Sequence, residues 1–134
     1  MLAPILILRT IILKISIDCR MLGQVIKNAL IIAAIDLPYL LLVSGQFKPM
    51  VAAIQGSPLQ FRLWAAIPVY FALGYLLTLP TNWRQSALVG AATYAVYDFT
   101  NLATLTRYPL QFAIQDTLWG ATLMAIAFKV SQFL

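Results

Sequence analysis

Four long apolar runs divide the chain, at about residues 26–44, 63–79, 86–105 and 110–130. They do not alternate with period two. Each is close to the roughly 20 residues that a helix needs to cross a hydrocarbon core, so the pattern predicts four helices and not barrel strands. Pro80 ends the second run, because proline cannot continue a helix. Pro38 and Pro68 fall inside the first and second, where neighbouring helices can satisfy the freed carbonyls, so kinks are expected there and not ends. The connections at about 80–85 and 106–109 are short, which makes neighbouring helices antiparallel. The connection at about 45–62 is the longest. It holds Pro49 and Pro58, and its Phe47, Met50, Val51 and Ile54 at helical spacing fit either a short helix lying on the membrane or an ordinary loop. Trp64, Trp83 and Tyr108 stand at the ends of the runs, where aromatic anchors gather. The expected architecture is all-α, an integral membrane antiparallel four-helix bundle.

Residues 1–20 do not fit this pattern. They are apolar, but Arg9 and Lys14 interrupt them, and each base near the middle of a span costs about 2.5–3.5 kcal/mol. A fifth span is therefore not expected. A signal peptide places its bases ahead of the apolar stretch, not within it. The segment reads as an N-terminal extension, an amphipathic helix on the membrane surface, dispensable for a membrane domain over 21–134. Met21 would be a natural start just before the first run.

Composition decides between a membrane and a soluble interior. Hydrophobic residues are 62% of the 134 and charged residues 10%, against roughly a quarter charged in soluble domains. A soluble domain of this size needs a largely polar skin, and four acids with nine bases cannot supply one. The net charge of +5 is spread over single bases without a Lys/Arg run, which suits lipid headgroups and not nucleic acid. The lone Cys19 cannot form an internal disulfide, and the absence of histidine excludes histidine relays. With four spans, Arg9, Lys14, Arg20, Lys27, Arg84 and Lys129 share one side, against Lys48, Arg62 and Arg107 on the other. That split predicts both termini in the cytoplasm.

Three of the four acids, Asp36, Asp98 and Asp116, fall inside the apolar runs. An intramembrane carboxyl is costly and by default marks a functional site. Counting from the nearest run end at 1.5 Å per residue, all three lie about 9–12 Å below one face, and Tyr70 reaches the same level. Tyr94, Asp98 and Asn101 share one helical stripe, and Asp116, Trp119 and Gly120 share another. Gly74, Gly90, Ala91 and Gly120 allow close helix approach. The candidate pocket is thus Asp36, Tyr70, Tyr94, Asp98, Asn101, Asp116 and Trp119. No base lies at that depth, so the carboxyls would share protons, hold a cation or face a water-filled cleft. The bland alternative is that they hydrogen-bond the helices together.

These residues also carry a resemblance. The stretch YAVYDFTNLATL over 94–105, the YPL turn at 108–110 and the DTLWG stretch at 116–120 resemble the signature of a bacterial family of predicted membrane proteins, domain of unknown function 2177. That family shares a Y-D-x-T-N-x-A-T-L block, a W-P-L-like turn and a D-x-x-W-G block. Asp98, Thr100, Asn101, Asp116, Trp119 and Gly120 match it position by position. Tyr70 and Gly74 resemble its Y-x-x-x-G pattern. Around Asp36 the chain departs from it: Leu37, Pro38 and Tyr39 follow where the family has a Trp-containing stretch. The resemblance runs from about Met21 to the C-terminus. It implies a four-helix membrane protein and no particular activity.

Three functions fit these residues. The first is a small transport or channel-type protein whose pocket binds a proton, a cation or a small polar solute; a conducting chain of this size is expected to form homo-oligomers. The second is an enzyme acting on a lipid or isoprenoid, with Asp98, Asn101 and Asp116 on Mg²⁺ or Mn²⁺, since hard ions prefer oxygen ligands. No phosphate-cradling glycine loop supports that reading. The third is a non-catalytic subunit of a membrane complex. The residues name no cofactor, and the one partner they indicate directly is membrane lipid.

Overall fold

A computed structural model describes residues 2–134, with side chains from residue 5 onward. The described chain is all-α, with four helices: α1 (Leu2–Gln55), α2 (Leu63–Leu76), α3 (Trp83–Thr104) and α4 (Leu110–Phe133). By length and composition one of them, α1 over Ile5–Gln55, is long and apolar enough to cross a bilayer, while α2 is apolar but only 14 residues long.

Helix α1 departs most from the sequence reading. It neither starts at 26 nor ends at 44, but runs unbroken for 54 residues through Pro38 and Pro49, about 81 Å of helix. The connection after Ser44, open in the sequence between a short helix and a loop, is helical as far as Gln55 and continuous with α1, because Phe47, Met50 and Ile54 pack on a cluster of Tyr108, Phe112 and Ala113. Tertiary packing outweighs the local breakers Gly45 and Pro49. The stop comes at Gly56, whose φ of +73° reverses the chain as its N–H bonds back to the Ala52 carbonyl at 2.9 Å. At the other end, every side chain from 5 to 24 is exposed, so this stretch continues α1 without packing on the remaining helices.

The other boundaries shift by a few residues. Helix α2 stops at Leu76, and two turn bonds, Thr78 N–H to Tyr75 and Leu79 N–H to Leu76, carry the chain to Pro80. Helix α3 begins at Trp83 because the Asn82 side chain accepts the Gln85 N–H at 3.0 Å while Gln85 accepts from the Thr81 N–H at 2.9 Å. This reciprocal capping satisfies orphan donors of the first turn.

Contacts pair the helices with residue numbers rising on one as they fall on the other. Between α3 and α4, the Ser86 hydroxyl donates to the Met124 carbonyl at 2.8 Å, Gly90 lies against Gly120, and Asp98 meets Tyr108 beyond the helix end. Between α1 and α2, the Asn28 amide donates to the Gly74 carbonyl at 3.2 Å, and Tyr70 reaches Asp36. Between α1 and α4, Lys27 donates to the Ser131 carbonyl at 3.2 Å, and Tyr39 reaches Asp116. A Cβ on Gly90 would strike the Gly120 backbone, so only glycine allows this approach.

The interior is layered. Ile32, Leu123, Met124 and Ala127 are fully buried and form a dry layer with Ile31, Leu73 and Leu77. Asn28 and Ser86 bond backbone within this layer, Asp36 and Asp98 lie beyond it on one side and Ser131 on the other, while Leu42, Val96 and Leu118 point outward. Leu42 is 83% exposed and Val96 71%, so large apolar side chains stand on the outer surface, as lipid contact would favour.

Candidate functional site

Two groups of hydrogen bonds hold the acids. Asp36, buried on α1, accepts from the Tyr70 hydroxyl on α2 and from the Trp119 indole N–H on α4, both at 2.8 Å. Three helices therefore meet on one carboxyl. Asp116 on α4 accepts from the Tyr39 hydroxyl at 2.8 Å. The Tyr39 ring stacks on Trp119, with centroids 4.3 Å apart and planes 8° from parallel. The stack joins the two groups, since each ring bonds a different acid.

Asp98 on α3 is fully buried. One of its oxygens accepts from the Tyr108 hydroxyl in the α3–α4 turn, and the other, Oδ2, has no partner among the described residues. Its carboxyl lies near that of Asp116, but no hydrogen bond joins the two. Asp98 and Asp36 both lie close enough to act on the charge of Asp116. Two neighbouring carboxyls can hydrogen-bond to each other only if one of them carries a proton.

The remaining sequence candidates divide. Tyr94 packs its ring against Gly120, and its phenol lies near Asp36, Asp116, Tyr70 and Tyr39. Asn101 stands beside Tyr108, at the outer edge of the cluster. The structure thus brings Asp36, Tyr70, Tyr94, Asp98, Asp116 and Trp119 together and leaves Asn101 at the rim. Among the described residues, no group of three or more His, Cys, Asp or Glu is placed to hold a metal ion.

Two donors escaped the sequence reading. Tyr39 lies three residues after Asp36, on the same helical face, and that spacing was the available signal. Tyr108 was expected to be an exposed anchor at a span end. It is buried, with its hydroxyl turned onto Asp98. The sequence signal was weaker here, because an aromatic at a helix end usually does mark an interface.

A family model described as "Predicted membrane protein (DUF2177)" matches residues 21–132. The chain belongs to this family. The match takes in every residue of the carboxyl cluster and leaves residues 1–20 outside. DUF2177's description as membrane proteins agrees with the apolar length of α1 and with the outward-facing leucines. Neither the curated proteins nor the solved structures contain a match to the chain.

Proposed function

We propose that this protein is a multi-pass integral membrane protein, an antiparallel four-helix bundle, whose Asp98–Asp116 pair holds one proton and couples it to the movement of a cation or small polar solute. The observation that carries the reading is the fully buried Asp98 close to Asp116, with one carboxylate oxygen unpartnered among the described residues. A structural clasp would satisfy its acceptors with donors, as Asp36 does with Tyr70 and Trp119. Asp98 and Asp116 each receive one phenol. The dry layer of Ile32, Leu123 and Met124 favours a carrier over an open channel, because it separates the cluster from the end that holds Lys27 and Ser131. The metal-dependent enzyme is the weaker reading, since the sequence offers no phosphate-cradling glycine loop and no histidine.

The test is infrared spectroscopy of the purified full chain in lipid, with proton-driven solute flux in proteoliposomes alongside. A protonated-carboxyl band at neutral pH, lost in both Asp98→Asn and Asp116→Asn, is expected. Absence of that band in the native chain overturns the reading.

A further inference from the structure

Outside the carboxyl cluster, a cavity of about 180 Å³ lies between the last turns of α1 and the outer end of α3. Phe47, Met50, Val51 and Ile54 form its apolar wall, and Asn101 and Tyr108 form its polar end. Its volume falls below the roughly 300–1,000 Å³ of pockets for compact small molecules, so it suits a slender chain.

Charge identifies the rest of the occupant. The flanking segments 45–62 and 105–110 carry Lys48, Arg62 and Arg107 and no acid. Three of the chain's four acids are in the cluster, and the fourth, Asp18, is on the far part of α1. Arg107 is not a loose surface base. Its guanidinium donates to the Ala53 carbonyl at 3.2 Å, which fixes it next to the wall residues on α1.

We propose that this cavity seats a stretch of one acyl chain of an anionic phospholipid, with the phosphate against Arg107. The proposal rests on the membrane reading above and adds the class of lipid. The chain would lie against Tyr108, whose hydroxyl bonds Asp98, so the occupied cavity adjoins the proton-holding pair directly.

Native mass spectrometry of the full chain, titrated with phosphatidylglycerol or phosphatidylcholine of identical acyl chains, tests this. One phosphatidylglycerol is expected to be retained in preference, by about fivefold for each base engaged. Arg107→Gln should remove that factor for the anionic lipid alone, whereas Ile54→Trp, which fills the cavity, should weaken retention of both lipids. Equal retention of the two lipids by the native chain, or no response to either variant, overturns the proposal. The carboxyl infrared band, read on the same samples, keeps the two claims separate. If the band is present without a lipid preference, the lipid site alone is refuted; if the preference is present without the band, the proton-holding pair alone is refuted.

Discussion

At the residue scale, the contacts of Gly90 and Asp98 make opposite demands on substitution. Gly90 has no room: a Cβ there meets the backbone of Gly120. Gly90→Ala should destabilise the protein by about 1–3 kcal/mol, the usual penalty of overpacking. A Cβ added to Gly23 on α1 would meet nothing within 4 Å, so Gly23→Ala should be neutral or stabilising by up to about 1 kcal/mol. Thermal unfolding in detergent separates the two, and equal effects would contradict the packing described. Asp98 has a vacant acceptor. Asp98→Asn supplies an N–H₂ that can donate to Asp116, so stability should hold or rise while proton-dependent flux falls. Tyr108→Phe removes the phenol donor on the same carboxyl and should cost about 1–3 kcal/mol. If Asp98→Asn unfolds as early as Tyr108→Phe across the pH range, the pair does not share a proton. The level of these acids was legible, because helical rise converts residue number directly into height. Their donors were not. Height does not fix rotation, and the side chain of Tyr108 turns inward from a position where aromatics usually face the interface.

At the element scale, α1 was the hardest helix to bound. Its apolar core from 26 to 44 was readable, and its extent was not. Gly45 and Pro49 are local breakers, yet Phe47, Met50 and Ile54 find partners on Phe112 and Tyr108, and the helix continues to meet them. The true terminator, Gly56, stood in the sequence but looks like any other loop glycine until its φ is known. The amino-terminal part of α1 poses a different question. Its side chains from 5 to 24 are exposed, and the family match begins only at residue 21. Deleting residues 1–20 should leave a protein that inserts, remains monodisperse in detergent and melts within about 0.5 kcal/mol of the full chain, as expected for surface changes. Size-exclusion chromatography and thermal unfolding of the shortened chain check this. Failure to insert would show that the stretch is integral to the bundle.

At the scale of the whole molecule, the bond from Lys27 to the Ser131 carbonyl puts the inner part of α1 and the end of α4 at the same end of the bundle. Reporter fusions at residue 21 and at the C-terminus should therefore give the same sidedness. The distribution of bases predicts that side to be the cytoplasm, and reporters active on opposite sides would contradict the fold. The all-α architecture was legible because long apolar runs without period-two alternation leave few other options. The layering was not, since a sequence of leucines and isoleucines does not say which will form the dry layer and which will face outward. The close approach of Gly90 to Gly120 has a mechanical consequence. Helices α3 and α4, joined by this approach and by the Ser86 bond to Met124, are expected to move as one stiff arm. Asp98 and Asp116 both ride on that arm, whereas Asp36 and Tyr39 belong to α1 and Tyr70 to α2. Any opening of the molecule would part Tyr39 from Asp116 and Trp119 from Asp36, and carry the paired carboxyls off intact, like a load held in one jaw of a clamp.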